Sequence, residues 1–258
     1  MTPAFLLLLI LSMAAVCLSA AIDAKNQIDE SPDVSDVLRK ANANTKSLLQ
    51  YDDIMPSKHR NAVPCTSRGC LWPKSSGYVY VPIQISSSYS TAEHNMIVNS
   101  LVTFHQSTCI RFVWKSWWHS DYLSIYSGNG CWSYLGRNGG KQSLSLMRNG
   151  CLYRSTVQHE ALHALGYHHE QVRSDRDSYV QILTQNVEPG REHNFNKVQT
   201  NNLGTPYDFN SVMHYSNTAF SKNGQPTIIS KANPNLIFGH ARDMSPNDIA
   251  RVNKLYKC

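Results

Sequence analysis

The stretch from His159 to Glu170, HEALHALGYHHE, restricts what this chain can be more than any other. His159 and His163 stand four apart, so on a helix their imidazoles share one face, one turn apart. Two neutral imidazoles so placed can bind one small cation, most commonly zinc. Glu160, beside the first of them, can reach a water on that cation without taking a coordination position. Gly166 follows three residues after His163, and a helix that must stop and turn back commonly ends on a glycine, which tolerates positive φ. The turn brings His169 round as a third ligand. Three protein ligands and one open position describe a catalytic zinc site, one ion per chain, rather than a structural one. A histidine-rich surface helix would account for a bare HExxH, but not for Gly166 and His169 at their offsets.

The second element is Ser211-Val212-Met213-His214-Tyr215. HExxHxxGxxH followed by a distant methionine turn resembles the metzincin peptidases. Glu170 directly after the third histidine, then Arg173, Asp175, Arg176, Asp177 and the SxMHY turn, resembles the astacin family, over about Asn61 to Cys258. The six cysteines outside the leader are similar to those of the fish hatching-enzyme (choriolysin) branch.

The resemblance implies an α+β, zincin-like catalytic domain of two lobes. A mixed twisted sheet and two long helices would form the N-terminal lobe. A mostly irregular C-terminal lobe would end in a helix. It implies zinc endopeptidase activity on extracellular proteins, with egg-envelope (chorion) proteins as substrate. Zinc lowers the pKa of its water and polarises the peptide carbonyl, while Glu160 takes up that proton and returns it to the leaving amine. Tyr215 would donate to the oxyanion, and Met213 would form an apolar floor. Glu170 would lie near the mature N-terminus, although a chain starting at Asn61 looks too long for direct pairing. His168 and His214 carry no ligand role. Substrate would lie as an extended strand against the edge near Cys131 to Tyr134.

The remainder of the chain fits a secreted precursor. Phe5 to Cys17 is apolar but short of the ~20 residues of a membrane span, and Ser19, Ala20 and Ala21 follow, as at a signal-peptide cleavage site. No other stretch is apolar enough to act as an anchor. Residues 1–20 are therefore read as a leader, 21–60 as a propeptide and 61–258 as the peptidase domain. Lys58-His59-Arg60 before Asn61 reads as a site for a trypsin-like activating protease. Seven cysteines fit an oxidising compartment, and Cys17 leaves with the leader. Sequence leaves the pairing of the other six open; the family implies Cys109–Cys258 and Cys131–Cys151, leaving Cys65–Cys70 as a local loop. The formal charge of +6 is spread without a Lys/Arg cluster, which argues against nucleic-acid binding. No N-x-Ser/Thr sequon occurs. A monomer is expected, secreted to the extracellular space and stored in granules before release.

Residues 22–60 are polar, with a helix expected around Val34 to Leu49 but too little apolar surface to build a core or stay bound alone. Family propeptides block zinc with an aspartate. The matching stretch is Tyr51-Asp52-Asp53-Ile54, in which Asp53 aligns with the blocking residue, Asp52 takes the place of a glycine and also serves as a substitute candidate. Gly77 to Ile85, Ile110 to Lys115, Tyr122 to Tyr126 and Ser143 to Met147 read as strands, with Pro82 suggesting an edge. Ser90-Thr91-Ala92-Glu93 and Ser155-Thr156-Val157-Gln158 read as capping boxes. Trp117-Trp118 reads as packing before a binding platform. Ser245-Pro246 starts a terminal helix that buries Ile249, Val252 and Leu255. Two other functions stay open: a six-cysteine peptidase acting on other extracellular proteins, and an inactive binding protein, which would be expected to have lost Glu160 or a ligand.

Overall fold

The computed structural model describes residues 32–45, 49–56 and 70–258. The expected leader, the cleavage site at Arg60 and Asn61, and Cys65 lie outside the described residues. In chain order the elements are helix α1 (Val34–Asn42), strands β1 (Ile54–Met55), β2 (Lys74–Ser75) and β3 (Tyr78–Ile85), helix α2 (Thr91–Ser107), strands β4 (Ile110–Trp114), β5 (Tyr122–Tyr126), β6 (Cys131–Tyr134) and β7 (Lys141–Leu146), helix α3 (Arg154–Ala164), the strand pair β8 (Val180–Ile182) and β9 (Ile228–Ser230), and helix α4 (Pro246–Tyr256).

Strands β1 to β7 form one mixed sheet in the order β1-β6-β7-β5-β3-β2, with β4 also on β3. The β3–β4, β3–β5, β5–β7 and β1–β6 pairs are parallel, whereas β2–β3 and β6–β7 are antiparallel. Along β3, Val79, Val81 and Ile83 are buried while Tyr78 and Tyr80 are exposed, the alternation of a strand with one face on a core. Pro82 does not mark an edge strand, because β3 is paired on both sides. The register explains how it is tolerated. Pro82 lies opposite Val113 of β4, and pairing with β5 begins only at Ile83.

Helix α2 starts at the expected box: Ser90 Oγ accepts from the Glu93 N–H, and the Glu93 carboxylate accepts from the Ser90 N–H. Its Ile97, Leu101 and Phe104 enter the main core. Helix α3 departs from expectation at its start. Tyr153 is the N-cap, without a side-chain bond, and Ser155 and Thr156 lie inside the first turn. Every residue from Ser155 to Ala164 is buried, as in a helix running through an interior. Its start is tied down by Cys151, bonded to Cys131 of β6. Helix α4 has Ser245 and Asp248 as a capping box with Pro246 in the first turn, and Cys258 after it is bonded to Cys109. Cys70 is also disulfide-bonded.

The main core joins the sheet to α2 and α3, with Val252 and Tyr256 of α4 packed on it. A second core gathers Val180, Val187, Phe195, Tyr207, Tyr215, Phe220, Ile228 and Phe238 from the largely irregular chain after α3. Two lobes thus follow from two cores. The segment before residue 60 corrects the sequence reading. Its helix is shorter than expected, and Val34, Val37 and Leu38 are buried members of the main core. Trp117 and Trp118 correct it in the other direction: they are 88% and 63% exposed, so they do not pack inside.

The Cys131–Cys151 bond closes a loop with a sequence separation of 20, for which chain entropy gives about 3 kcal/mol. Denaturant unfolding of the full chain with both cysteines changed to alanine should show a loss of that order. An unchanged midpoint and slope would contradict it.

Candidate metal centre

Helix α3 presents His159 and His163, and the chain then reverses. The Leu165 and Gly166 N–H groups bond back to Ala161 and His163, and Gly166 has φ +106°. The reversal brings in His169, and all three rings are buried. His159 Nδ1 lies 2.7 Å from the Val212 carbonyl, and His163 Nδ1 lies 2.7 Å from the Tyr167 carbonyl. A carbonyl only accepts, so each Nδ1 carries the proton and each Nε2 is left as a bare lone pair. These lone pairs converge on Asp53. Its Oδ2 is 3.0 Å from both His159 Nε2 and His169 Nε2, and its Oδ1 is 3.5 Å from His163 Nε2. His169 Nε2 is in turn 3.3 Å from His159 Nε2.

Burial, the largest influence, lowers His163 below the ordinary imidazole range and takes His169 to about 4, so these rings are neutral near pH 7. A buried carboxylate thus faces three imidazoles, two of them with a bare Nε2 lone pair. The four donor atoms lie within 4.8 Å of one another. His163 Nε2 and Asp53 Oδ1 have no hydrogen-bond partner among the described residues. Groups packed this closely could hold a cation between them, and three imidazoles with one carboxylate oxygen fit a tetrahedral zinc ion.

Asp53 is delivered by a tight reversal. Gln50 and Ile54 exchange backbone hydrogen bonds of 2.8 and 2.9 Å, leaving Tyr51, Asp52 and Asp53 at the tip. Tyr51 and Asp52 have φ of +50° and +71°. That conformation costs of order 1 kcal/mol or more for a residue with a Cβ. Three bonds hold the tip. Tyr215 Oη donates to the Tyr51 carbonyl at 2.7 Å, Asn42 Nδ2 to the Asp52 carbonyl at 2.9 Å, and Arg191 Nη1 to Asp52 Oδ1 at 3.2 Å. Asp53 and not Asp52 therefore faces the histidines. Burial and the neighbouring Asp53 charge raise Asp52 to about 7, against the pull of Arg191.

The Cys131–Tyr134 edge, expected to be open, is covered by the chain's own residues. Ile54 and Met55 pair in parallel with Ser133 and Tyr134. Asn42 closes the other end, donating to the Cys131 carbonyl and accepting from the Cys131 N–H, both at 2.8 Å.

Glu160 is buried beside the cluster with neither carboxylate oxygen bonded among the described residues. Burial, and then the Asp53 charge, raise it well above the ordinary carboxylate range. Met213 is buried within the main core. Tyr215 sits with its ring 4.8 Å from that of His169, and its N–H donates to Gln171 Oε1 at 3.2 Å. Burial raises the phenol far above its usual range, so it stays a donor. Gly239 packs so closely on this turn that a Cβ would stand 2.3 Å from the Tyr215 carbonyl. His214 is turned away, bonded to Tyr207 Oη and the Tyr215 carbonyl, and His168 packs edge-on against Tyr51.

The largest surprise is around Glu170. Its two oxygens accept from Arg251 twice, from Arg173 Nη1 at 3.2 Å and from the Asp208 N–H at 2.7 Å. Both oxygens thus have donors from within the fold, three on Oε1 and Arg251 on Oε2. Arg251 gave no sequence signal, because a lone arginine on an amphipathic helix is ordinarily solvated. Asn42 gave none either.

Comparison with known proteins agrees with this geometry. The family model described as Astacin, a peptidase family, matches residues 67–257. The chain is 47% identical to high choriolytic enzyme 2 of Oryzias latipes over 232 residues, 89% of this chain and 83% of the relative. It is 43% identical to the low choriolytic enzyme of the same fish over 263 residues, 98% of this chain and 97% of the relative. Among solved structures, high choriolytic enzyme 1, a hatching enzyme zinc-protease from Oryzias latipes, superposes with a TM-score of 0.73 at 49% identity, covering 77% of this chain and all 100% of that one.

The buried carboxylate facing two lone pairs makes a sign-reversing prediction. Without metal, Asp53→Asn removes an uncompensated buried charge and supplies an N–H donor, so the variant should be more stable than the parent by about 1–3 kcal/mol. With zinc present the order should invert, because the anionic ligand is lost. Thermal unfolding of both full-length proteins, zinc-loaded and stripped, checks this. A shift of the same sign in both states would contradict it.

Proposed function

The chain belongs to the astacin family of peptidases and is a zinc metalloendopeptidase, and on that premise we propose that it is made as a secreted precursor whose own Asp53 blocks the metal until residues 21–60 are removed. One observation carries this reading: the Asp53 carboxylate stands among His159, His163 and His169, where a substrate carbonyl and a water would have to be. In this reading the three histidines hold one zinc ion. Zinc bound there supplies the Lewis acid that polarises a peptide carbonyl and acidifies water. Glu160 accepts the proton and delivers it to the leaving amine. The Tyr215 hydroxyl, now given to the Tyr51 carbonyl, becomes free to donate to the oxyanion once that carbonyl leaves. Met213 keeps the floor of the site apolar. The β6 edge, vacated by Ile54 and Met55, takes an extended substrate strand.

The layout is a leader at 1–20, a propeptide at 21–60 and a peptidase domain at 61–258, with a trypsin-like protease cutting between Arg60 and Asn61. No helix among the described residues is long and apolar enough to cross a membrane. Secretion to the extracellular space, storage in granules and a monomeric state complete the proposal. The substrates are proteins. Similarity to two choriolytic enzymes favours egg-envelope proteins, and expression outside hatching glands would favour another extracellular substrate. An inactive binding protein is disfavoured by the presence of Glu160 and all three histidines.

The buried contacts of α1 change what activation requires. Val34, Val37 and Leu38 are in the main core, Ser35 Oγ accepts from the Ser216 N–H at 3.1 Å, and His240 Nδ1 meets Asp33 at 2.9 Å. A cut after Arg60 breaks none of these, so the segment must still dissociate. With full-length protein and a fluorogenic peptide, activity should lag the cut and rise faster on dilution. Uncut Asp53→Ala should leak activity, Arg60→Gln should stay zinc-loaded and silent, and cut Glu160→Ala should keep zinc while losing activity by about 10²–10⁴-fold. A silent uncut Asp53→Ala would refute blocking by the carboxylate. Parent-like turnover by Glu160→Ala would refute its role as base.

A further inference from the structure

His169 differs from the other two histidines in how it is held. His159 and His163 each have Nδ1 anchored on a carbonyl. His169 Nδ1 has no hydrogen-bond partner among the described residues. No bond anchors the ring from its Nδ1 side, so on that side its placement comes from the backbone and from packing against Tyr215. The backbone on its C-terminal side is Glu170, whose N–H donates to the Met213 carbonyl at 2.9 Å.

Glu170 is buried, and so are its partners Arg173 and Arg251. Arg251 meets the carboxylate with both terminal nitrogens, Nη2 at 2.7 Å from Oε1 and Nη1 on Oε2. The rest of its guanidinium is also used: Nε donates to Thr205 Oγ1 at 3.0 Å and Nη2 to the Pro206 carbonyl at 2.9 Å. Arg173 reaches the same loop, donating to the Thr205 and Pro206 carbonyls at 3.1 and 3.0 Å. The terminal helix, the turn after His169 and the loop leading to the methionine turn are thus locked on one carboxylate. Bidentate pairing of this kind fixes direction as well as charge.

We propose that Arg251 is the positioning residue for the third metal ligand: by holding the buried Glu170 carboxylate it fixes the backbone from which His169 reaches the metal. The clamp is complete in a chain that still carries its N-terminal segment, so the turn takes its counter-charge from within the fold and needs none from a newly cut N-terminus. This rests on zinc being held by the three histidines, which the parent protein's own titration checks separately as one zinc per chain.

The test uses full-length protein with Arg251→Gln, Arg251→Lys and, on the same helix, Asn253→Ala, which removes an ordinary structural bond to the Ser107 carbonyl. Zinc affinity is read by chelator competition, ligand geometry by the visible spectrum of the cobalt-substituted protein, and stability by thermal unfolding of the zinc-free chain. Arg251→Gln should weaken zinc binding about 10–100-fold, the usual cost of losing a partner that orients a ligand, and should shift the cobalt spectrum. Arg251→Lys, which keeps the charge but loses the fork, should fall between it and the parent and decides the matter if Arg251→Gln does not fold. Asn253→Ala should lower the unfolding temperature and leave affinity and spectrum unchanged. Parent-like affinity and spectrum in the folded Arg251 variants would overturn the proposal. So would an equal loss of affinity in Asn253→Ala, which would reduce Arg251 to a stabiliser of the helix.

Discussion

Three imidazoles and a carboxylate crowd one point in this protein, a set of groups that a zinc ion would satisfy. Three imidazole Nε2 atoms, two of them carrying lone pairs, meet the Asp53 carboxylate at 3.0–3.5 Å. Those two lone pairs are enforced from behind, because the Val212 and Tyr167 carbonyls take the only ring proton. Bringing such groups together without a metal would cost several kcal/mol. The fold around them is organised to bring them together all the same. Helix α3 is buried on every side, and its end, the methionine turn and the N-terminal segment all close on the same spot.

The two cores divide the labour. The main core carries the sheet, α2 and α3, and so fixes His159, Glu160 and His163 on one rigid element. The second core carries Tyr215 and the loops beneath it. The N-terminal segment bridges them. It adds Val34, Val37 and Leu38 to the first, ties Asp52 to Arg191 of the second lobe and covers the β6 edge with β1. Its Asp53 stands among the three histidines, and β1 covers the β6 edge.

How much of this was legible in the sequence depended on how local the signal was. The histidine spacing, Gly166 and the SVMHY turn are short-range patterns, and the three histidines they singled out do lie together. Capping at Ser90 and Ser245 was equally readable. The false capping box at Ser155 failed because α3 is buried, where tertiary packing and the Cys131–Cys151 bond decide the start. Asp53 could be preferred over Asp52 only by analogy; the positive φ at Asp52 supplies the physical reason. The buried pairing of Arg251 with Glu170 joins residues 81 apart, and Asn42 reaches Cys131 across 89, separations over which composition and period carry no information. The apolar face of α1 was underrated because three buried residues in a polar segment look like a solvated helix until a groove receives them.

The most direct test of the account is a crystal structure of the uncut, zinc-loaded chain with anomalous scattering collected at the zinc edge. The account predicts one peak per chain, about 2.0–2.1 Å from the Nε2 atoms of His159, His163 and His169 and about 2.0–2.2 Å from an Asp53 carboxylate oxygen. A peak bound by the three histidines with water in the fourth position and Asp53 swung away, or no peak among these residues, would contradict it.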